Sequence, residues 1–238
     1  MRFIGLVPAR GGSIRLPNKN LLTIAGKPLI EWTILAGLQC ASLSQVYVST
    51  DSEEIASVAD QCGAQVPFIR PKHLSNSQTP TQSVVKHFLD TMEMKQLSTS
   101  TALVLLQPTS PLRSSLDIQQ AIDVFVTLPN IDSLVSCTKL PTSLASRKIM
   151  FSNSQRVLSK FKTSGWEKIA NAFQNGENTL IRNGAAIYIS KMPGAYKKLI
   201  HGKTYLFEMP FLRSIDIDTD DDFIIAENLL LTRHPKDS

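Results

Sequence analysis

Phe3-Ile4-Gly5-Leu6-Val7 runs directly into Pro8-Ala9-Arg10-Gly11-Gly12-Ser13. The first part is a short apolar run closed by proline, which reads as a strand buried on both faces. The turn after it carries two adjacent glycines and an arginine. Glycine lets backbone N–H groups approach an anion closely, and Arg10, Arg15 and Lys19 can neutralise phosphate oxygens. Neither the Gly-Lys-Ser/Thr ending of a P-loop nor a G-x-G-x-x-G spacing is present. A solvated turn with incidental basic residues is the other reading of this stretch alone.

Outward from that unit, strand and helix patterns alternate. Residues 29–38 have apolar positions at helical spacing, and 45–49 read as the next strand. Asp51 and Ser52 suit the cap of a helix running to about Gln61. A strand is expected at 66–69, a helix at 81–95, and a strongly apolar strand at 102–106. Ser114 or Ser115 caps a helix at 114–128, with Asp117 in its first turn. Further strands are expected at 133–137, 185–189 and 212–217, and a last helix at 220–231. Such alternation predicts an α/β fold with a Rossmann-like, mostly parallel sheet, and ligands outside the carboxyl ends of its strands. The stretch 139–179 is polar, rich in Ser and Lys, and too long for an ordinary loop. We read 1–238 as a single domain with 139–180 as an inserted arm.

Composition narrows the function classes. The chain has 238 residues, 42% hydrophobic and 19% charged, which excludes a disordered polymer. No apolar run approaches the roughly 18 residues of a membrane span. The N-terminus suits a buried first strand better than a signal peptide. Cys40, Cys62 and Cys137 are scattered, as free thiols in a reducing cytoplasm would be. The net charge of +5 is unevenly placed. Basic residues occupy 1–30 with no carboxylate among them, whereas Asp216, Asp218, Asp220, Asp221 and Asp222 crowd near the other end. This separation suits a polyanion with a metal ion better than a nucleic acid, for which basic residues interleaved with stacking aromatics are expected.

Three more stretches carry chemistry. Gln107-Pro108-Thr109-Ser110-Pro111-Leu112-Arg113 ends an apolar strand in a loop stiffened by two prolines. It reads equally as a preorganised set of polar groups or as a capped strand-to-helix turn. Ser214-Ile215-Asp216-Ile217-Asp218-Thr219, if extended, puts both carboxylates on one face. Their repulsion would be relieved by Mg²⁺. Thr219 with Asp222 has the spacing of a capping box, so the later acids are better explained by the helix start. Arg182-Asn183-Gly184-Ala185-Ala186-Ile187-Tyr188 offers a guanidinium for a carboxylate, or only a surface arginine at a turn.

In order and spacing these motifs resemble the acylneuraminate cytidylyltransferase (CMP-sialic acid synthetase) family over nearly the whole chain. The resemblance implies a nucleotide-diphospho-sugar transferase type of fold, a homodimer with a protruding dimerisation arm, and transfer of CMP from CTP to an acidic nine-carbon sugar. It assigns Arg10, Gly11, Gly12, Ser13 and Lys19 to the triphosphate, and Asn20, Arg70 and Thr81 to the cytidine or its phosphates. Gln107 would lie between nucleotide and sugar. Arg182 and Tyr188 would contact the sugar. Asp216 and Asp218 would hold Mg²⁺, with Asp218 assisting proton removal. Ile14 stands where the family often has lysine. Arg15 stands where many sialic acid enzymes have glycine; arginine there is more familiar in pseudaminic and legionaminic acid enzymes. The pair Asn183-Gly184 is shifted by one place relative to Tyr188. The related eight-carbon activity, 3-deoxy-octulosonate cytidylyltransferase, and a non-catalytic nucleotide-sugar binder are the alternatives.

Overall fold

The computed structural model describes residues 1–94, 100–139, 180–184 and 186–232. The first half contains β1 (Arg2–Pro8), the short strands β2 (Thr23–Ile24) and β3 (Lys27–Pro28), α1 (Leu29–Leu38), β4 (Leu43–Ser49), α2 (Glu53–Gln61) and α3 (Thr81–Thr91). Then come β5 (Thr101–Leu105), α4 (Ser115–Thr127), β6 (Ser133–Lys139), β7 (Leu180–Arg182) and β8 (Tyr188–Lys191). The last elements are α5 (Gly194–Lys197), β9 (Thr204–Glu208) and α6 (Asp220–Leu231).

Seven strands form one sheet in the order β4-β1-β5-β8-β6-β7, with β9 beside β6. β1 is parallel to β4 and β5, and β9 is parallel to β6. β8 runs antiparallel to both β5 and β6, and β7 is antiparallel to β6. The sheet is therefore mostly parallel, as the alternation implies. The central strands β1 and β5 read as continuous apolar runs because both of their faces are covered. Along β1, Phe3 and Val7 point into the core shared with α1, α2 and α4. Ile4 and Leu6 point into the opposite core, with Val85, Phe88 and Leu89 of α3. A third, smaller cluster joins Leu16, Ile24 and Leu29 to Ile217, Ala226 and Leu230, so α6 packs over the loop after β1.

Helix starts follow local chemistry. Ser114 and Asp117 form a complete capping box, and so do Thr219 and Asp222. In the second, aspartate does the work usual for Glu or Gln: its carboxylate accepts the Thr219 N–H at 2.8 Å. Thr219→Ala is expected to cost about 1 kcal/mol of stability, read by chemical denaturation. An unchanged midpoint would contradict the role given to this cap.

Several expected elements differ. In place of the 66–69 strand there are two isolated bridges, Tyr47↔Gln65 just before it and Thr50↔Ile69 at its end. Pro67 supplies no N–H to a ladder. The helix from Thr81 stops at Thr91, and Glu93 just beyond adopts a left-handed backbone, φ 53°. The strand expected at 185–189 begins at Tyr188, because the chain first turns at Gly184. The strand expected at 212–217 is absent. Pro210 opens a 3-10 turn at Phe211–Arg213. Beyond it, the Ile217 N–H goes to the Thr109 carbonyl and the Asp218 N–H to the Asp222 carboxylate. Those backbone groups are satisfied without a ladder. The arm expected at 139–180 lies almost wholly outside the described residues.

Candidate functional site

The carboxyl ends of β1 and β5 open onto a cavity of about 500 Å³. One wall is the turn after β1, with Arg10, Ser13, Ile14, Arg15, Lys19 and Asn20. The facing wall is Arg70, Leu74, Asn76, Ser77, Thr79, Thr81 and Val84. Gln107, Pro108 and Thr109 form the floor after β5, and Asp218 closes one side. Arg10, Ser13, Arg15, Lys19, Asn20, Arg70, Thr81, Gln107 and Asp218, all proposed from the sequence, thus share one cavity. Gly11, Gly12, Arg182, Tyr188 and Asp216 are not among its lining residues.

The two ends of the chain meet here. The Lys19 ammonium donates to the Ile217 carbonyl and lies 3.4 Å from Asp218 Oδ1. Arg15 Nη1 is 3.1 Å from Asp218 Oδ2. Both Asp218 and Arg15 are more than half exposed at the side chain, so this second pair contributes little stability in water. It does concentrate opposite charges at the cavity edge.

Asn20 is buried, and its Nδ2 donates to the Arg10 carbonyl at 2.9 Å. Asn20 Oδ1 is buried without a partner, which leaves an acceptor at the cavity wall. The Gly11 N–H is held by Asp51 Oδ1 at 3.0 Å. The Arg70 guanidinium is only 3% exposed and bonded to Ser75 and Ser49. Burial lowers its pKa, and the nearby Asp51 opposes that shift.

Below the floor, Arg113 is fully buried and donates to the carbonyls of Gln107 and Ala186. Burial lowers its pKa to about 10, against the pull of Asp117. Asp117, itself buried, is gripped by Arg213 at 3.0 Å. This buried charge pattern fixes the main chain of Gln107 and ties the 107–113 loop to the turn before β8.

Asp216 sits behind Asp218, half-buried, sharing a hydrogen bond with Thr109. Its Oδ1 is buried without a hydrogen-bond partner. Burial raises its pKa, and Asp218 pushes the same way. The two carboxylates are therefore unequal, one recessed and one exposed, rather than side by side on a strand. An orphaned buried carboxylate oxygen beside a second carboxylate fits a hard divalent cation that takes its other ligands from phosphate and water. Among the described residues no three His, Cys, Asp or Glu side chains cluster as a metal cage.

Gly184 packs against Asp216. It adopts φ +63°, and a Cβ there would fall 2.1 Å from Asp216 Cγ. Gly184→Ala is expected to lower the melting temperature and to cut turnover at least about 10-fold, by strain and by pushing Asp216 aside. A native melting temperature and rate would remove Gly184 from this account. Beside it, Arg182 hydrogen-bonds the buried Tyr188, whose pKa is raised by burial. Asn183 links Ser136 and Ser214 at 2.7 and 3.0 Å, anchoring the segment that carries Asp216.

Sequence reading missed Asp51, Asn183 and the wall from Leu74 to Thr79. The polar run Ser75-Asn76-Ser77-Gln78-Thr79-Pro80 was the available signal for the wall. Nothing in local pattern marks Asp51, which resembles an ordinary helix-cap residue.

A family model described as Cytidylyltransferase matches residues 4–234. The chain is 35% identical over 244 residues to a CMP-N,N'-diacetyllegionaminic acid synthase of Legionella pneumophila, covering 97% of each. It is 31% identical over 229 residues to an N-acylneuraminate cytidylyltransferase of Escherichia coli, covering 94% of this chain and 51% of that protein. The chain thus spans about half the length of that second relative. A solved CMP:2-keto-3-deoxy-manno-octonic acid synthetase complexed with CTP is similar with a TM-score of 0.69 and 17% identity, over 97% of this chain and 98% of that one. At that identity the likeness speaks for the fold alone.

Proposed function

Because this chain belongs to the cytidylyltransferase family, we propose that it transfers CMP from CTP to the anomeric hydroxyl of a nonulosonic acid and releases pyrophosphate. The observation that carries this reading is the meeting of Arg10, Lys19 and Asp218 in one cavity, with Asp216 behind Asp218. In the reaction, an oxygen–phosphorus bond forms at the α-phosphorus and the bond to the β-phosphate oxygen breaks. Such transfers depend chiefly on positioning and charge neutralisation.

Arg10, Lys19 and the Gly12–Ser13 backbone hold the triphosphate and stabilise the departing pyrophosphate. Asn20 Oδ1 and Thr81 offer polar contacts to the nucleoside. Arg70 supports them from behind, since its donors are already engaged by protein groups. Gln107, its carbonyl fixed by Arg113, lies between nucleotide and sugar. Arg182 and Tyr188 meet the sugar acid from the side of Asp216. Asp216 and Asp218 are the residues that would hold Mg²⁺, which when bound supplies charge neutralisation at the phosphates and acidifies the attacking hydroxyl. Asp218, exposed at the cavity edge, assists removal of the hydroxyl proton.

Sharing nearly full length with the legionaminic acid synthase, and carrying Arg15 beside Asp218, favours an N,N'-diacetyllegionaminate-type sugar. A homodimer, and a cytoplasmic location suited to three free thiols, complete the reading. No helix of the described residues is long and apolar enough to cross a membrane.

The test is incubation with CTP, Mg²⁺ and a panel of neuraminic, legionaminic, pseudaminic and 3-deoxy-octulosonic acids, with the CMP product identified by mass. A nonulosonate product is expected. A product from the eight-carbon acid alone, or from no sugar, would overturn the assignment.

A further inference from the structure

We infer that Asp51 is a positioning residue for nucleotide binding, acting through the backbone of the cationic turn. It stands just past the carboxyl end of β4, beside the Gly11-Gly12 turn at the end of β1. Its Oδ1 accepts the Gly11 N–H at 3.0 Å, and the same oxygen lies 3.7 Å from Arg70 Nη2. Arg70 in turn reaches Ser75 Oγ at 3.0 Å and the Ser49 carbonyl at 3.1 Å. One carboxylate therefore connects the turn that carries Arg10 to the opposite wall of the cavity, and it also keeps a buried guanidinium paired. The approach is close: a Cβ on Gly11 would meet Ser52 Cβ at 3.1 Å.

A carboxylate at this place is unfavourable by charge alone, since it repels an incoming triphosphate. Two effects then predict opposite signs. If Asp51 acted only through its field, its removal would raise the local positive potential and tighten CTP binding. If it acts by fixing the turn, its removal frees the Gly11 N–H and disperses the donors, and CTP binding weakens. The second outcome is the one assigned here. It rests on the proposal that this turn holds the triphosphate, so a control must test that separately.

The experiment is CTP titration by calorimetry on the full chain, with native protein, Asp51→Ala, Asp51→Asn and Arg10→Ala, and with KM for the sugar measured alongside. Asp51→Ala is expected to weaken CTP binding about 10-fold, the size of a lost charge-assisted hydrogen bond. Asp51→Asn keeps an oxygen for the Gly11 N–H and is expected to stay within about 3-fold of native. The KM for the sugar should hold within about 2-fold, which general loosening of the fold would not allow. Native or tighter CTP binding by Asp51→Ala, with Arg10→Ala weakened, overturns the role of Asp51 and leaves the site standing. Native binding by Arg10→Ala overturns the triphosphate site itself. Asp51→Asn as weak as Asp51→Ala shows that charge matters and the acceptor does not, and overturns the inference. If Asp51→Ala does not fold, Asp51→Ser decides, because its shorter side chain removes the carboxylate that joins the Gly11 N–H to Arg70. Weakened CTP binding there supports the inference and native binding overturns it.

Discussion

Asp216→Asn and Asp218→Asn are each expected to lower kcat/KM for CTP by about 10³-fold, the equivalent of roughly 4 kcal/mol of lost transition-state stabilisation. The two substitutions should differ in every other respect. Asp218 is exposed and paired with Arg15 and Lys19. Replacing it leaves the fold nearly unchanged. Asp216 is recessed, and burial with the neighbouring Asp218 raises its pKa. A carboxyl whose folded pKa is raised binds its proton more tightly in the native state than in the unfolded chain. Its stabilising contribution is fully present below the unfolded pKa and is lost as pH rises through the folded value. Above the unfolded pKa, Asp216 therefore opposes folding. Asp216→Asn should melt at or above the native temperature in metal-free buffer, while losing activity. Added Mg²⁺ should raise the native melting temperature and leave that of the variant unchanged. Turnover within a few-fold of native for both variants would refute the assignment of these carboxylates.

Lys19→Met is expected to lower kcat about 10²-fold, with a smaller effect on KM for CTP. Lys19 is only 12% exposed at its side chain, so its charge acts in a poorly screened place. It bonds the Ile217 carbonyl, so it also links the cationic turn to the segment bearing both aspartates. Charge that develops on the departing pyrophosphate is then met by a donor already in position, with no reorganisation at the moment of transfer. Lys19→Arg restores the charge but brings a planar fork to a place built for a compact ammonium, so recovery should be partial. Steady-state kinetics on both variants measures this. Full activity in Lys19→Met would show that the turn does not serve the leaving group.

Much of this was legible in the chain. The apolar runs at 3–7 and 102–106, each followed closely by proline, read as two-faced strands, and β1 and β5 are buried on both faces, because burial on both sides removes polar alternation. The capping pairs Ser114–Asp117 and Thr219–Asp222 were legible because a cap is a local interaction. The cavity's cationic wall was legible as a motif, and the family resemblance joined it to the acidic segment 200 residues away. What was not legible depends on partners distant in sequence. The 214–218 segment alternates like a strand, yet its hydrogen bonds go to Thr109 and Asp222. The recess that makes Asp216 unlike Asp218 comes from Thr109 and Gly184, far from it along the chain. The three-residue β7 is too short for a period to show, and β9 is exposed along much of its length, so burial leaves no clear pattern in its sequence. Pro67 lies inside a run that otherwise reads as a strand, and its effect on the ladder decides the outcome there.

The central claim is that the turn after β1 and the aspartates before α6 act on one triphosphate. A crystal structure with CTP and Mn²⁺, using the anomalous signal of the metal, tests it most directly. The account predicts phosphate oxygens within hydrogen-bonding distance of Arg10, Ser13 and Lys19, and an anomalous peak bridging them to Asp216 and Asp218. A triphosphate seated elsewhere, or a metal peak remote from both aspartates, would contradict it.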